Sequence, residues 1–264
     1  MYLHWNEYIC EMLGTAILLF FGTSAIIINF GNDAFIKELI SDEMARLFLT
    51  GLIFSGTAAL VVISPLGKLS GGHINPAVSL PFWLLKRMHH RDLAGYITFQ
   101  FIGATIGSTI ALLAWGNEFW SVNGALTLPG SGISFLEAFI AETVMTFILV
   151  ISILIMLSHH NTAKFTPLVV WIVIGLQVML GAQISGTSIN PARSFGPAIV
   201  TNVLQDLWIY LTAPIIGAVL AAAAHHAKIF GNLTLKTGKL FHAPSYKCIF
   251  LHCEICEKER MEKS

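Results

Sequence analysis

Hydrophobic residues in this chain gather into six long runs, at residues 12–30, 47–63, 93–115, 138–158, 165–185 and 207–224. A helix of about 20 apolar residues matches a hydrocarbon core about 30 Å thick. Six such runs predict six membrane-spanning helices, since a large soluble core does not need runs of this length. The fourth contains Glu142, an ionisable group at a depth where it must find partners or a wet passage. Two short apolar segments, 78–85 and 194–200, are too brief to cross.

Composition narrows the class further. Of 264 residues, 55% are hydrophobic and only 11% charged, against about 25% in ordinary globular chains. The 15 basic and 15 acidic residues cancel, so no nucleic-acid partner is indicated. The first ten residues carry acidic Glu7 and no basic start, so the pattern predicts a retained first span rather than a removable signal. With both ends on one side, that side holds Lys68, Lys86, Arg87, Arg91, Lys164 and the basic set of the tail, twelve Lys and Arg in all. The other side holds only Lys37, Arg46 and Arg193. This bias predicts a multi-pass protein of the cell membrane with both termini cytoplasmic.

The chain also repeats itself. Asn75-Pro76-Ala77 recurs 115 residues later as Asn190-Pro191-Ala192, and Glu11-x-x-x-Thr15 recurs 131 residues later as Glu142-x-x-x-Thr146. Gly103 and Gly107 in the third run correspond to Gly217 and Ala221 in the sixth; small residues four apart let helices approach closely. The differing offsets fit a longer connection around residues 31–42. Three spans per half is an odd number, so the halves must enter the membrane in opposite directions, an inverted repeat.

Each Asn-Pro-Ala box is a helix-start signal: Asn is a favoured N-cap and Pro is tolerated at the first helical position. Flexible stretches, 67–73 and 181–188, precede the boxes. Each box is therefore expected to be a loop that dips into the membrane and returns as a half-helix, a conformation that survives at depth only inside protein or beside water. In inverted halves the two helix N-termini meet near the midplane with their positive dipole ends facing one point. Each Asn then caps its helix and offers an N–H to a passing water. A water accepting from both has its hydrogens turned outward, which interrupts proton hopping.

Ser70-Gly-Gly-His-Ile-Asn-Pro-Ala-Val78 and Ser185-Gly-Thr-Ser-Ile-Asn-Pro-Ala-Arg-Ser-Phe-Gly-Pro-Ala198 closely resemble the signature loops of the aquaporin, or major intrinsic protein, family. The resemblance runs from about Glu7 to Ala227. It implies an all-α membrane protein of six transmembrane helices plus two re-entrant half-helices, in a right-handed bundle with one pore per subunit and a homotetrameric assembly. The expected organisation is a channel domain at 1–227, with halves at about 8–115 and 134–227, and a cytoplasmic tail at 228–264.

In the family, the Arg matching Arg193 forms the selectivity constriction. Counting from the boxes places Val178, Thr187 and Ser55 beside it, with Phe54 as the alternative to Ser55, because adjacent helical residues point about 100° apart. Water-strict relatives usually carry an aromatic and a His at the positions of Ser55 and Val178, so their absence widens the opening, and Phe54 narrows it again. Ser194 and Ala198 resemble the water type. Many water channels bear a mercury-reactive Cys where Thr187 stands, and Cys10, Cys248, Cys253 and Cys256 are not expected at that constriction.

Buried Glu11 and Glu142 need donors, and the N–H groups of the re-entrant loops are the expected source, leaving loop carbonyls to line the pore. His73 is expected at the cytoplasmic mouth or as a packed, neutral side chain. The tail carries Cys248-x4-Cys253-x2-Cys256 with His242 and His252 nearby, a spacing that matches no strong zinc pattern. It is read as uncommitted or partner-binding, and neither metal nor cofactor is assigned. The expected function is a passive water channel that excludes protons and ions, with membrane lipid around it. The alternatives are a channel for larger neutral solutes such as glycerol or urea and, further off, a coupled secondary transporter. No nucleophile–base pair or nucleotide loop indicates an enzyme.

Overall fold

Each apolar run becomes a helix, and side-chain caps mark the starts of three of them. A computed structural model describes residues 3–243 and 245–255. In chain order, the first half comprises α1 (Trp5–Phe30), α2 (Ile36–Leu39), α3 (Glu43–Ile63), α4 (Pro65–Ser70), α5 (Pro76–Leu84) and α6 (His90–Trp115). The connection holds α7 (Asn117–Ser121) and a 3-10 turn (Asn123–Ala125). The second half follows as α8 (Phe135–Leu157), α9 (His160–Ala163), α10 (Thr166–Ser185), α11 (Pro191–Thr201) and α12 (Leu207–His226). Among the described residues there is no strand. The Asp42 carboxylate accepts from Ala45 N at the start of α3, and Ser134 and Glu137 form a capping box at the start of α8; both satisfy N–H groups that lack helical partners.

Six helices, α1, α3, α6, α8, α10 and α12, are long and apolar enough to cross a membrane. The stretches before the boxes are more ordered than their glycine content predicts. Residues 65–70 form α4 and residues 181–185 continue α10, so irregular backbone is confined to the four residues before each Asn. Ser64 caps α4 and Pro65 begins it, overriding the weak helix propensity of Gly67.

The repeat is visible in the packing. α1 lies on α6 as α8 lies on α12, α3 meets α10 across the pseudo-dyad, and the half-helices cross over, α5 onto α12 and α11 onto α6. Gly103 of α6 faces the Met12 carbonyl, and Gly217 of α12 faces the Thr143 carbonyl. Met12 and Thr143 are separated by the same offset as Glu11 and Glu142. A side chain at either glycine would enter the neighbouring helix backbone. The bundle exterior is apolar on all sides, with Leu60, Leu113, Leu136 and Leu180 each more than 60% exposed, a belt far larger than soluble monomers present.

The tail packs on the bundle. Residues 235–243 and 245–254 fold back over the face of the bundle that carries the start of α1 and the end of α12, where Leu235, Leu240, Phe250 and Cys253 are buried. Lys236 N donates to Leu157 O at 2.9 Å, Leu240 N to Gly71 O at 3.0 Å and Leu251 N to Arg87 O at 2.8 Å. Cys256 lies outside the described residues.

Gly217→Val should separate α12 from α8 and destabilise the protein by about 1–3 kcal/mol, as overpacking does. Lipid-facing Leu113→Val should change stability by no more than about 0.5 kcal/mol. Thermal unfolding in detergent compares the two.

Candidate functional site

The site is built where the two irregular segments meet. Asn75 caps α5, its Oδ1 accepting from Ala77 N at 2.8 Å, and Asn190 caps α11, its Oδ1 accepting from Ala192 N at 3.0 Å. Each side-chain amide also reaches across the repeat. Asn75 Nδ2 donates to Ile189 O at 2.9 Å, and Asn190 Nδ2 donates to Ile74 O at 3.0 Å. The box of one half is thus tied to the loop of the other. An amide nitrogen has two hydrogens, so one on each Asn remains beyond this cross-tie.

Two carboxylates hold these loops. Glu11 Oε1 accepts from Ser70 Oγ at 2.6 Å and His73 N at 3.0 Å, and Oε2 from Ile74 N at 2.6 Å and Gln100 Nε2 at 2.7 Å. Glu142 accepts from Ser185 Oγ, Ser188 N and Ile189 N, each at 2.7 Å. Both side chains are fully buried. The bonds hold a backbone that the sequence does not favour: Ile74 and Ile189 have φ of 43° and 48°, a region costly for β-branched residues. Gly72 fits its φ of 67° without strain, whereas its counterpart Thr187 adopts 48° with Oγ1 donating to Gln177 O at 3.3 Å.

A cavity of about 340 Å³ runs past both boxes, lined by Asn75 and Asn190, by the loop residues Gly72–Ile74 and Gly186–Ile189, and by Arg193. Phe30 and Glu43 line it toward the face opposite the chain ends, and Leu240 of the tail lines it toward the terminal face. Most of the wall is aliphatic, with polar groups concentrated at the loops.

Arg193 lies in the first turn of α11, 5% exposed. Its Nη1 donates to Ala125 O at 2.7 Å, and its Cζ stands 5.6 Å from the centre of the Phe54 ring. Val178, Thr187, Phe54 and Ser55 all line the same cavity. Ser55 is otherwise occupied: its hydroxyl hydrogen is shared between Gly51 O, one turn back on α3 at 2.6 Å, and Trp171 O of α10 at 2.9 Å. Thr127 Oγ1 and Ser194 Oγ are 2.6 Å apart. Ala125 and Thr127 escaped the sequence reading, because the 116–133 connection carries no motif and a carbonyl acceptor leaves no trace in residue type.

His73 is packed and also lines the cavity. Its Nδ1 is 3.2 Å from Ser79 Oγ and its Nε2 2.9 Å from Gly238 O of the tail. Its ring stacks on Phe82 with centroids 4.6 Å apart.

Comparison with known proteins agrees with this architecture. The family model described as major intrinsic protein matches residues 2–225. The chain belongs to the major intrinsic protein family. Members of this family are passive channels, not enzymes. The chain is 35% identical over 232 residues to a probable aquaporin, AqpM, of Archaeoglobus fulgidus, covering 82% of this chain and 94% of that one. It is 34% identical over 235 residues to glycerol uptake facilitator protein-like 6 of Lactiplantibacillus plantarum, covering 86% and 99%. In fold it resembles the X-ray structure of the aquaglyceroporin from Plasmodium falciparum, with a TM-score of 0.69 at 23% identity over 86% of this chain and 97% of that chain.

Glu142→Ala should leave the Ser188 and Ile189 N–H groups buried without an acceptor, at about 1–3 kcal/mol each. The expected result is a thermal midpoint well below that of the parent and little channel activity. Glu142→Gln, which keeps one acceptor oxygen, should fall between them when both variants are compared by unfolding in detergent.

Proposed function

We propose that this channel conducts water passively and excludes protons and ions. The observation that carries the reading is the pair of Asn amides at the cavity midpoint, cross-tied to opposite loops, each at the N-terminus of its own half-helix. Each helix end has the effect of roughly half a positive charge. Together they oppose a cation with about one unit charge, worth ~3 kcal/mol at about 5 Å and an effective dielectric of about 20. A water at this point accepts from the remaining Asn hydrogens and turns its own hydrogens outward, so a continuous donor chain is broken. Loop carbonyls of residues 72–74 and 187–189 serve as acceptors on either side, oriented by Glu11 and Glu142.

The constriction in this reading is Arg193, Phe54, Val178 and Thr187. The Arg193–Phe54 approach and the commitment of the Ser55 hydroxyl to backbone carbonyls, one on its own helix and one on α10, support Phe54 over Ser55. Val178 and Thr187 are short, which favours a second reading in which glycerol-sized neutral solutes also pass. Similar identity to proteins named aquaporin and glycerol uptake facilitator supports keeping both solutes. Proton coupling has less support, since Glu11 and Glu142 are committed to loop donors. The protein sits in the cell membrane as a homotetramer, with the terminal face cytoplasmic, as its Lys and Arg excess favours.

In vesicles loaded with a pH dye, osmotic water flux should proceed with no accompanying proton flux and no solute accumulation against its gradient. A proton current that grows with water flux would exclude this reading.

Phe54→Ala and Arg193→Ala should raise glycerol flux relative to water flux, and Val178→His should lower it. Ser55→Ala should leave the ratio unchanged. Stopped-flow light scattering with sucrose and glycerol gradients measures the ratio at matched protein density, and a shift with Ser55→Ala alone would move the constriction to that side chain.

A further inference from the structure

The tail gathers three metal-ligand side chains that its sequence spacing does not reveal. One ring nitrogen of His242 and the Sγ atoms of Cys248 and Cys253 all lie within 4.8 Å of one another. Cys253 is buried, while His242 and Cys248 are partly buried. Thiolate and imidazole together suit zinc and its borderline-soft neighbours rather than magnesium or calcium. Zinc bond lengths of about 2.3 Å to sulfur and about 2.0 Å to nitrogen set tetrahedral ligand atoms roughly 3.3–3.8 Å apart, so a shift of about 1 Å closes the set.

The segments carrying these ligands are the ones laid over the terminal mouth of the pore. Two residues before His242, Leu240 lines the cavity. Just before it, Lys239 is fully buried, its Nζ donating to Lys68 O at 2.5 Å and Lys247 O at 2.7 Å. Between the two cysteines, the Phe250 ring centre lies 5.3 Å from that of His73. The Arg87 guanidinium bonds to His252 O beside Cys253. A bond from one ion to all three ligands therefore joins the stretch that presents Leu240 to the stretch that packs on His73.

We infer that His242, Cys248 and Cys253 form a binding site for a zinc-class divalent ion, and that the bound ion fastens the tail across the mouth of the channel. Three deprotonated or neutral ligands leave a fourth tetrahedral position for water or for another side chain. Binding displaces the thiol protons to solvent and requires no oxidant. Loss of the ion loosens the cap, so Leu240 withdraws and the passage widens.

The test uses the full chain, reduced and freed of metal in detergent, and titrated with Co2+. The expected result is one Co2+ per chain with a thiolate-to-cobalt absorption band, displaced by Zn2+ and lost in Cys248→Ser and Cys253→Ser. Retained thermal unfolding of the bundle shows that these variants are folded. Trypsin cleavage at Lys239 should slow by roughly tenfold at a free Zn2+ concentration about ten times the dissociation constant, in the parent but not in Cys253→Ser. In vesicles, chelation should raise osmotic permeability of the parent and leave Cys253→Ser unchanged. Absence of the cobalt band in the reduced parent, or a Cys248–Cys253 disulfide in its place, overturns the site. A band without Zn2+-dependent protection of Lys239 overturns the cap. These two readouts do not depend on the proposed solute, so vesicles impermeable to water in every arm would count against water conduction alone.

Discussion

Irregular backbone cannot exist at membrane depth unless every polar group on it is bonded, and in this protein two buried carboxylates meet that demand. Glu11 and Glu142 each take two consecutive loop N–H groups and a serine hydroxyl. With the N–H groups bound outward to the carboxylates, isoleucines at 74 and 189 can be held at positive φ, and the chain can end one segment and begin a half-helix within a few residues. The boxes, the cavity and the position of Arg193 all follow from that turn. The cost of burying two carboxyl groups is offset by the density of donors around them, since each accepts at least three hydrogen bonds at 3.0 Å or less.

The second requirement is space. Two half-helices fit inside a ring of six spans only because neighbouring spans touch backbone to backbone, Gly103 on Met12 and Gly217 on Thr143. The reciprocal bonds from Asn75 to Ile189 O and from Asn190 to Ile74 O then fix the two half-helix N-termini relative to each other. A channel for small neutral molecules needs this rigidity more than affinity, because selectivity rests on the width of one constriction and on the orientation of a few donors.

The two mouths are built differently. Near the face opposite the chain ends, Arg193 is held between the Ala125 carbonyl and the Phe54 ring, a cation fixed in the cavity wall. At the terminal face the wall is completed by the tail, through Leu240 and the Gly238 carbonyl on His73. The loop around His73 therefore lines the cavity on one side and meets the tail on the other.

The sequence by itself determined the six spans, the inverted repeat and the two half-helix starts, because each rests on local rules: apolar length, odd span number, and Asn followed by Pro. It also marked Glu142, since a carboxylate inside an apolar run stands out, and Glu11 through the repeat that matches the two. It overestimated the flexible stretches at 67–73 and 181–188, where caps and helix continuation outweigh glycine content. Only the tertiary structure shows which partners Phe54 and Ser55 take, Arg193 for the one and the Trp171 carbonyl of α10 for the other, because a one-residue step on a helix turns a side chain by about 100°. Likewise only the fold brought Ala125 to Arg193 and gathered His242, Cys248 and Cys253. Their meeting depends on long-range closure of loops and tail, and nothing in residue order encodes a distance across the mouth of a bundle.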